Sequence, residues 1–283
     1  MKVTVFGARG MLGRDVARSA EAAGHELMAL GREDVDVVDS AAVHAALREA
    51  RPDVVVNCAA YTDVDGAESE EAAAMRVNGE GARNVAAGAA AAGAGVIFPS
   101  TDYVFDGRKG KPYVESDPVA PLSAYGRSKL AGEEATAEAN PRHQIVRTQW
   151  LFGLGGHNFV ETMLSLGAER DELTVVDDQV GCPTYTGDLA AALVGLASRE
   201  GRGVNHVAAG GECSWNEFAR EIFEQAGVSC RVLAGTTEEL GRPAPRPAHA
   251  VLRSNRSGAP ILPHWRSGLD RYLLERSVSE ARA

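Results

Sequence analysis

Apolar positions in the first half of this chain alternate between two rhythms. KVTVF (2–6) is short and β-branched, and apolar or small residues then recur at helical spacing over 11–23. HELMAL (25–30), DVVVNCAA (53–60) and GVIFPS (95–100) repeat the strand pattern. Helical spacing returns over 41–50 and 68–92, and the alanine run at 86–94 reads as a permissive helix between two strands. QIVRTQWLF (144–152) predicts a further strand. Strands of four to eight residues separated by helices predict a parallel sheet covered on both faces, and right-handed crossovers make it doubly wound.

Beyond about residue 152 the rhythm loosens. The pattern predicts a helix over 158–168, a strand at LTVV (173–176) and a helix over 188–198. GVNHVAA (203–209) is expected to rejoin the main sheet, with 215–226 as its covering helix. The segment 236–263, rich in proline and arginine, predicts a loop that wraps another part of the chain. No internal repeat is visible.

Composition narrows the class. Of 283 residues, 45% are hydrophobic and 24% charged, as in an ordinary globular enzyme, and a core of useful size is affordable. A net charge of -10 argues against nucleic acid or an anionic membrane as partner. Cys58, Cys182, Cys213 and Cys230 are scattered, so free thiols in a reducing cytosol are expected, and with them a cytoplasmic location. No apolar run approaches the ~20 residues of a membrane span. The chain opens directly on a strand pattern, with nothing resembling a targeting signal.

Chemistry first shows in GARGMLG, where Gly7, Gly10 and Gly13 follow the first strand and open a helix. Glycines there permit a tight turn and close backbone approach to a pyrophosphate, while the helix N-terminus supplies free N–H groups. This implies a dinucleotide-binding (Rossmann) domain over 1–150, to which about 171–226 returns. A smaller substrate-binding lobe is expected from about 151–170 and 227–283. After the second strand come Gly31 and Arg32, with Arg9 in the glycine loop and the first carboxylates, Glu33 and Asp34, only behind Arg32. Two cations suit a 2′-phosphate, so the reading favours NADPH and leaves NADH open.

Tyr125 and Lys129 form Y-x-x-x-K, which puts both side chains on one helix face, one turn apart. Carbonyl reduction needs a proton donor. A phenol at pKa ~10 is a poor match at neutral pH, and a nearby ammonium is expected to lower it. Upstream, FPSTDYVFDG (98–107) places Thr101 at the carboxyl edge of a predicted strand, where open α/β sheets bind ligands.

GARGMLG, VNCAAYTDVDGAE, STDYVFDG, YGRSK, RTQW, DDQVGCPT and RPAHAVL together resemble the dTDP-4-dehydrorhamnose reductases, an extended branch of the short-chain dehydrogenases. The resemblance runs from residue 2 to about 275. It implies reduction of the C4 ketone of dTDP-4-dehydro-L-rhamnose, with Thr101, Tyr125 and Lys129 as catalytic residues. It also implies a pyrophosphate loop of Gly7, Arg9, Gly10, Met11, Leu12 and Gly13. Asp36 and Val37 would flank the adenine, Ala59, Ala60 and Tyr61 would lie along the cofactor, and Asn78 would support that loop. Asp102, Tyr103, Phe105 and Trp150 would contact the sugar, and Arg246 would face the nucleotide diphosphate. Some members dimerise around Mg²⁺ held by acidic residues. Here Glu275 falls near one such position and Gly187 near the other, so a bridging metal is not expected and the chain is a monomer or homodimer. Phe152 stands where the family often has tyrosine.

Related enzymes share the Tyr/Lys pair. The 4,6-dehydratases carry Asp-Glu where this chain has Asp102-Tyr103, and tyrosine does not replace the glutamate base. A 4-epimerase is usually longer and differs in its motifs. The stronger rivals are a 4-ketoreductase for another dTDP-6-deoxy-hexulose and, from a different class, a reductase-like regulatory binding subunit. The intact Thr101, Tyr125 and Lys129 set argues against the last.

Overall fold

The computed structural model describes residues 1–199 and 201–281, so the last two residues of the expected lobe lie outside the described residues. Its first elements follow the predicted alternation: β1 (Lys2–Phe6), α1 (Met11–Ala22), β2 (Glu26–Leu30), α2 (Ser40–Ala50) and β3 (Val54–Asn57). The single helix expected over 68–92 is broken into α3 (Gly66–Ser69), α4 (Glu71–Met75), a π-helical turn (Arg76–Glu80) and α5 (Gly81–Ala91). The π turn turns Asn78 inward, a type of irregularity that recurs at functional sites. β4 (Gly95–Thr101) runs into a 3₁₀ turn (Asp102–Val104), followed by α6 (Ala124–Ala139) and β5 (His143–Thr148).

The remainder comprises β6 (Leu151–Phe152), α7 (Phe159–Glu169), β7 (Glu172–Val176), β8 (Val180–Gly181), β9 (Thr184–Tyr185) and α8 (Thr186–Ala197). Then come β10 (Gly203–His206), β11 (Cys213–Ser214), α9 (Trp215–Ala226), β12 (Arg231–Gly235), α10 (Thr237–Leu240) and α11 (Trp265–Glu280).

Six strands form one parallel sheet in the order β10-β5-β4-β3-β1-β2. Its central strands β1, β3 and β4 are largely apolar because helices cover both faces, and all seven residues of β4 are buried. Val16 and Ala20 of α1 and Leu189 and Leu193 of α8 pack on Val3 and Val5. On the other face Val43 and Leu47 of α2 and Val85 and Ala89 of α5 pack on Phe6, Val55 and Val96. Each of the buried Val, Leu and Phe side chains among these contributes roughly 1.5–3 kcal/mol. The chain leaves β1 for β2 on one side and reaches β3 on the other, so a crevice opens at the carboxyl ends of β1 and β3.

Three elements depart from expectation. β7 does not return to the main sheet but pairs in parallel with β12. α9 covers that pair rather than β10: Phe218, Ile222 and Phe223 share a core with Leu173, Val175 and Val232, joined by Trp265, Leu269 and Tyr272 of α11. α9 is held in register by a capping box of Ser214 and Glu217 and stops at Gly227, whose φ is 67°. The strand expected over 144–152 is also interrupted, because Trp150 takes a left-handed conformation at φ 49° and turns β6 out to pair with β9.

Candidate active site

The glycine loop lies in the crevice, and its shape follows from what side chains would strike. A Cβ at Gly7, whose φ is 69°, would lie 2.6 Å from Ala59 N. A Cβ at Gly13 would lie 2.1 Å from the Gly7 carbonyl oxygen. Gly10 is the N-cap of α1 and brings no side chain to it, so the first N–H groups of the helix are left for a ligand. A cleft of about 500 Å³ results, lined by Gly7, Arg9, Gly10, Arg32, Asp36, Val37, Ala59, Ala60 and Tyr61. Three other expected residues present no side chain to it. Met11 lies against Gly153 and Gly156, Leu12 packs on the core, and Gly13 braces the loop from below. A larger cleft of about 740 Å³ opens at the opposite end of the strands, beside Asp53, Gly95 and Arg142. It has neither the glycine loop nor the carboxyl edge of the sheet, so the smaller cleft is the candidate site.

Arg9 and Arg32 both border this cleft, but Arg9 is not an unopposed cation. It pairs with Glu33 at 3.0 Å and Asp34 at 3.2 Å. Asp34 folds back to accept the Gly31 N–H at 2.7 Å, which places a carboxylate at the end of β2. Spacing alone had put both acids behind Arg32. Asn78 fixes the facing loop: it accepts from Tyr61 N at 2.9 Å, and donates to Tyr61 O at 3.1 Å and Ser128 Oγ at 2.9 Å.

Thr101, Tyr125 and Lys129 converge beside the cleft. Thr101 ends β4, donates to Asp102 Oδ1 at 3.1 Å and accepts from Tyr103 N at 3.2 Å. Its hydroxyl also neighbours the Tyr125 phenol and partly offsets the rise in that group's pKa. Tyr125 sits in the first turn of α6, whose start is fixed twice: Ser123 accepts from Gly126 N, and Glu68 accepts from Ala124 N. Lys129, one turn on, donates to Pro99 O at 2.8 Å and lies 4.1 Å from the centre of the Phe98 ring. Burial lowers the lysine to about 8.

The tyrosine moves opposite to expectation. Burial, then the Asp102 carboxylate, then Tyr103 raise its pKa, and Lys129 is not among the groups that offset them. The physical reason is that the ammonium is turned to the Pro99 carbonyl, whereas Asp102 faces the phenol. Asp102 is itself buried, is pushed up to about 7, and has an Oδ2 with no hydrogen-bond partner.

The other residues expected at the sugar divide. Tyr103 meets the Tyr125 ring edge-on at 5.5 Å and reaches Arg246. Arg246 makes a two-point pair with Asp65 at 3.0 and 3.1 Å. Trp150 is half-buried and stacks on Trp215 at 3.6 Å, with its indole against Gly181. Phe105 is not at the site: it is fully buried and stacks on Tyr113 at 4.2 Å, beneath Arg147. It follows the 3₁₀ turn, which sends Tyr103 outward and Phe105 into the core. Sequence reasoning missed Asp65, whose partner is 181 residues away, and Trp215, which no local motif marks.

With this geometry in view, comparison with known proteins is informative. Residues 1–278 match the RmlD substrate binding domain family. The chain belongs to this family. Among its relatives, the dTDP-4-dehydrorhamnose reductase of Streptomyces griseus is 47% identical over 94% of this chain and 90% of that protein. The spore coat polysaccharide biosynthesis protein SpsK of Bacillus subtilis is 46% identical over 98% of both. A solved dTDP-4-dehydrorhamnose reductase from Bacillus anthracis, in complex with NADP, superimposes with a TM-score of 0.94 at 40% identity, over 97% of this chain and 100% of that one.

For an RmlD-family chain, the positions expected near a bridging metal are informative. Glu275 accepts hydrogen bonds from Arg18 and Tyr185, and Gly187 has no ligating side chain. Among the described residues no three His, Cys, Asp or Glu side chains converge as ligands within the chain. All four cysteines are free, and burial pushes Cys58 and Cys182 up to about 12, so neither offers a thiolate. Among the described residues, no helix is long and apolar enough to cross a membrane.

Proposed function

We propose that this chain reduces the C4 ketone of dTDP-4-dehydro-L-rhamnose to dTDP-L-rhamnose, with NADPH or NADH as reductant. The observation that carries the proposal is the convergence of the Thr101 hydroxyl and the Tyr125 phenol at the end of β4, beside the glycine-loop cleft. The cleft suits a dinucleotide because it needs backbone where Gly7 and Gly10 stand, and cations where Arg9 and Arg32 stand. The main-chain N–H groups at the start of α1, including those of Met11 and Leu12, would hold the pyrophosphate, and Asp36 and Val37 would flank the adenine. Ala59, Ala60 and Tyr61 would line the path toward Lys129. Bound there, a reduced nicotinamide supplies the hydride.

The chain's own residues supply the rest. Thr101 would turn its one hydroxyl hydrogen from Asp102 to the ketone oxygen and position it. Tyr125, kept protonated by its raised pKa, donates its proton as charge develops on that oxygen. Lys129, an ammonium at neutral pH, donates to Pro99 O in this arrangement and would stabilise the tyrosinate on turning toward the phenol. Arg246 would take the diphosphate, and Asp102, Tyr103 and Trp150 would bound the sugar. Tyr103, held at about 12, is no general base at neutral pH, which disfavours dehydration.

The Asp34–Arg9 pair bears on cofactor choice. Asp34 occupies the place where NAD-binding sites hold an acid, and Arg9 partly neutralises it, so use of both cofactors is expected. Replacing Arg9 by methionine would weaken NADPH more than NADH, and equal losses would count against the 2′-phosphate contact. A second reading is reduction of another dTDP-6-deoxy-hexulose, because a Streptomyces antibioticus relative, 43% identical, is named as a probable 4-ketoreductase. Turnover of the 4-keto-6-deoxy-D-glucose nucleotide without a 3,5-epimerase would favour it.

A further inference from the structure

Behind Lys129 lies a buried ion pair that the proposed chemistry has not used. Glu133 is one turn beyond Lys129 on the same face of α6 and is 3% exposed. Its carboxylate receives a fork from Arg147 of β5, with Nε at 2.9 Å from one oxygen and a terminal nitrogen at 2.7 Å from the other. Ser100 of β4 donates to it at 2.5 Å. As a device for stability this is a poor choice. Both charges are desolvated, one Arg147 nitrogen has no partner, and a buried pair of this kind seldom improves on apolar residues of the same volume.

The groups around Lys129 suggest what the pair does. β4 turns the Pro99 carbonyl and the Phe98 ring toward the ammonium. The loop after β3 contributes Cys58, a neutral thiol, and the π turn contributes Asn78, which bonds the neighbouring Ser128. Asp102, in the 3₁₀ turn, faces Tyr125 instead, and Arg147 stands behind Glu133. Glu133, four residues on along the same buried face of α6, is therefore the carboxylate placed to favour positive charge on Lys129. Without it, burial among Phe98, Pro99 and Cys58 favours the neutral amine.

We infer that Glu133 is a positioning residue, whose carboxylate, clamped by Arg147 and Ser100, keeps Lys129 an ammonium one helical turn from Tyr125. The inference rests on the ketone-reduction reading for its consequence in turnover, but its physical content concerns Lys129 alone.

The chain has four lysines, Lys2, Lys109, Lys111 and Lys129, so the ε-carbon of Lys129 is readily resolved by NMR of protein labelled with ¹³C-lysine. Its signal is identified by its loss in K129M. The wild-type midpoint is expected at about 8. Glu133→Gln keeps the shape and should lower that midpoint by about 1 pH unit. The double variant E133Q/R147M removes both charges together and should lower it likewise, which covers the case in which an unpaired Arg147 prevents E133Q from folding. In turnover, kcat/KM of E133Q should fall about fivefold relative to wild type at pH 8 and change little at pH 6, whereas a purely structural defect lowers both alike. An unchanged Lys129 midpoint in either folded variant overturns the inference. Wild-type protein without turnover, but with the midpoint shifted in E133Q, would instead leave the inference standing and remove the reductase reading.

Discussion

Gly13→Ala sets two magnitudes against each other. Gly13 lies inside α1, where alanine is favoured over glycine by about 1 kcal/mol on helix propensity. The added Cβ, however, would lie 2.1 Å from the Gly7 carbonyl oxygen and 2.8 Å from Ala8 Cα, and both are main chain. Gly7 has nowhere to go: it is wedged against Cys58 and Ala59, and its carbonyl accepts from Gly10 N at 3.0 Å. Overpacking costs about 1–3 kcal/mol, and a lost turn hydrogen bond about 1 more. Clash outweighs propensity, leaving a net loss of about 1–3 kcal/mol. Gly195→Ala is the control, because this exposed glycine of α8 has nothing within 4 Å of its added Cβ and should gain about 0.5–1 kcal/mol. Urea unfolding should therefore move the two midpoints in opposite directions. NADPH titration should show at least about tenfold weaker binding for G13A alone, a loss of about 1.4 kcal/mol. A G13A protein as stable as G195A, with wild-type NADPH affinity, would refute the reasoning.

Tyr125→Phe removes the proton donor and should lower turnover by about 10²–10⁴-fold while NADPH affinity is retained, and near-wild-type turnover would disprove the role. Arg246→Met should raise KM for the dTDP-sugar about 10–100-fold without changing NADPH binding, since Asp65 keeps Arg242 at 3.3 Å. Asp102 gives a pH test. Its folded pKa, about 7, is above the unfolded value of 3.8, so the folded state retains a proton that the unfolded state has lost. Its contribution to stability is full below about 4 and is lost as pH rises through about 7, a swing on the order of 4 kcal/mol. The stability of wild type relative to D102N, measured by denaturant unfolding, should fall across that window and be flat outside it. A flat difference throughout would contradict the buried, unpaired carboxyl.

Most of the first half of the fold was legible because each strand is a continuous apolar run and each helix has a clear face. The glycine loop and Y-x-x-x-K were legible because their spacing is dictated by backbone approach and helical pitch. What escaped depended on distance. β7 carries the pattern of a buried strand but nothing that names its partner, which is β12, some 60 residues on. β8 and β9 have two residues each, too few for a period to show. Phe105 was assigned to the sugar by its place in a motif, but a 3₁₀ turn separates its direction from that of Tyr103. The fall in the tyrosine pKa expected from Lys129 failed for a related reason: i, i+4 spacing puts two side chains on one face without deciding which neighbour each one bonds.

Loss of reduced-nicotinamide absorbance, with purified protein, NADPH and dTDP-4-dehydro-6-deoxyglucose, and with and without a 3,5-epimerase, tests the central claim most directly. The account predicts oxidation only when the epimerase is present, with dTDP-L-rhamnose as product. No oxidation with either NADPH or NADH, by protein that demonstrably binds the cofactor, would contradict it and move the regulatory-subunit reading forward.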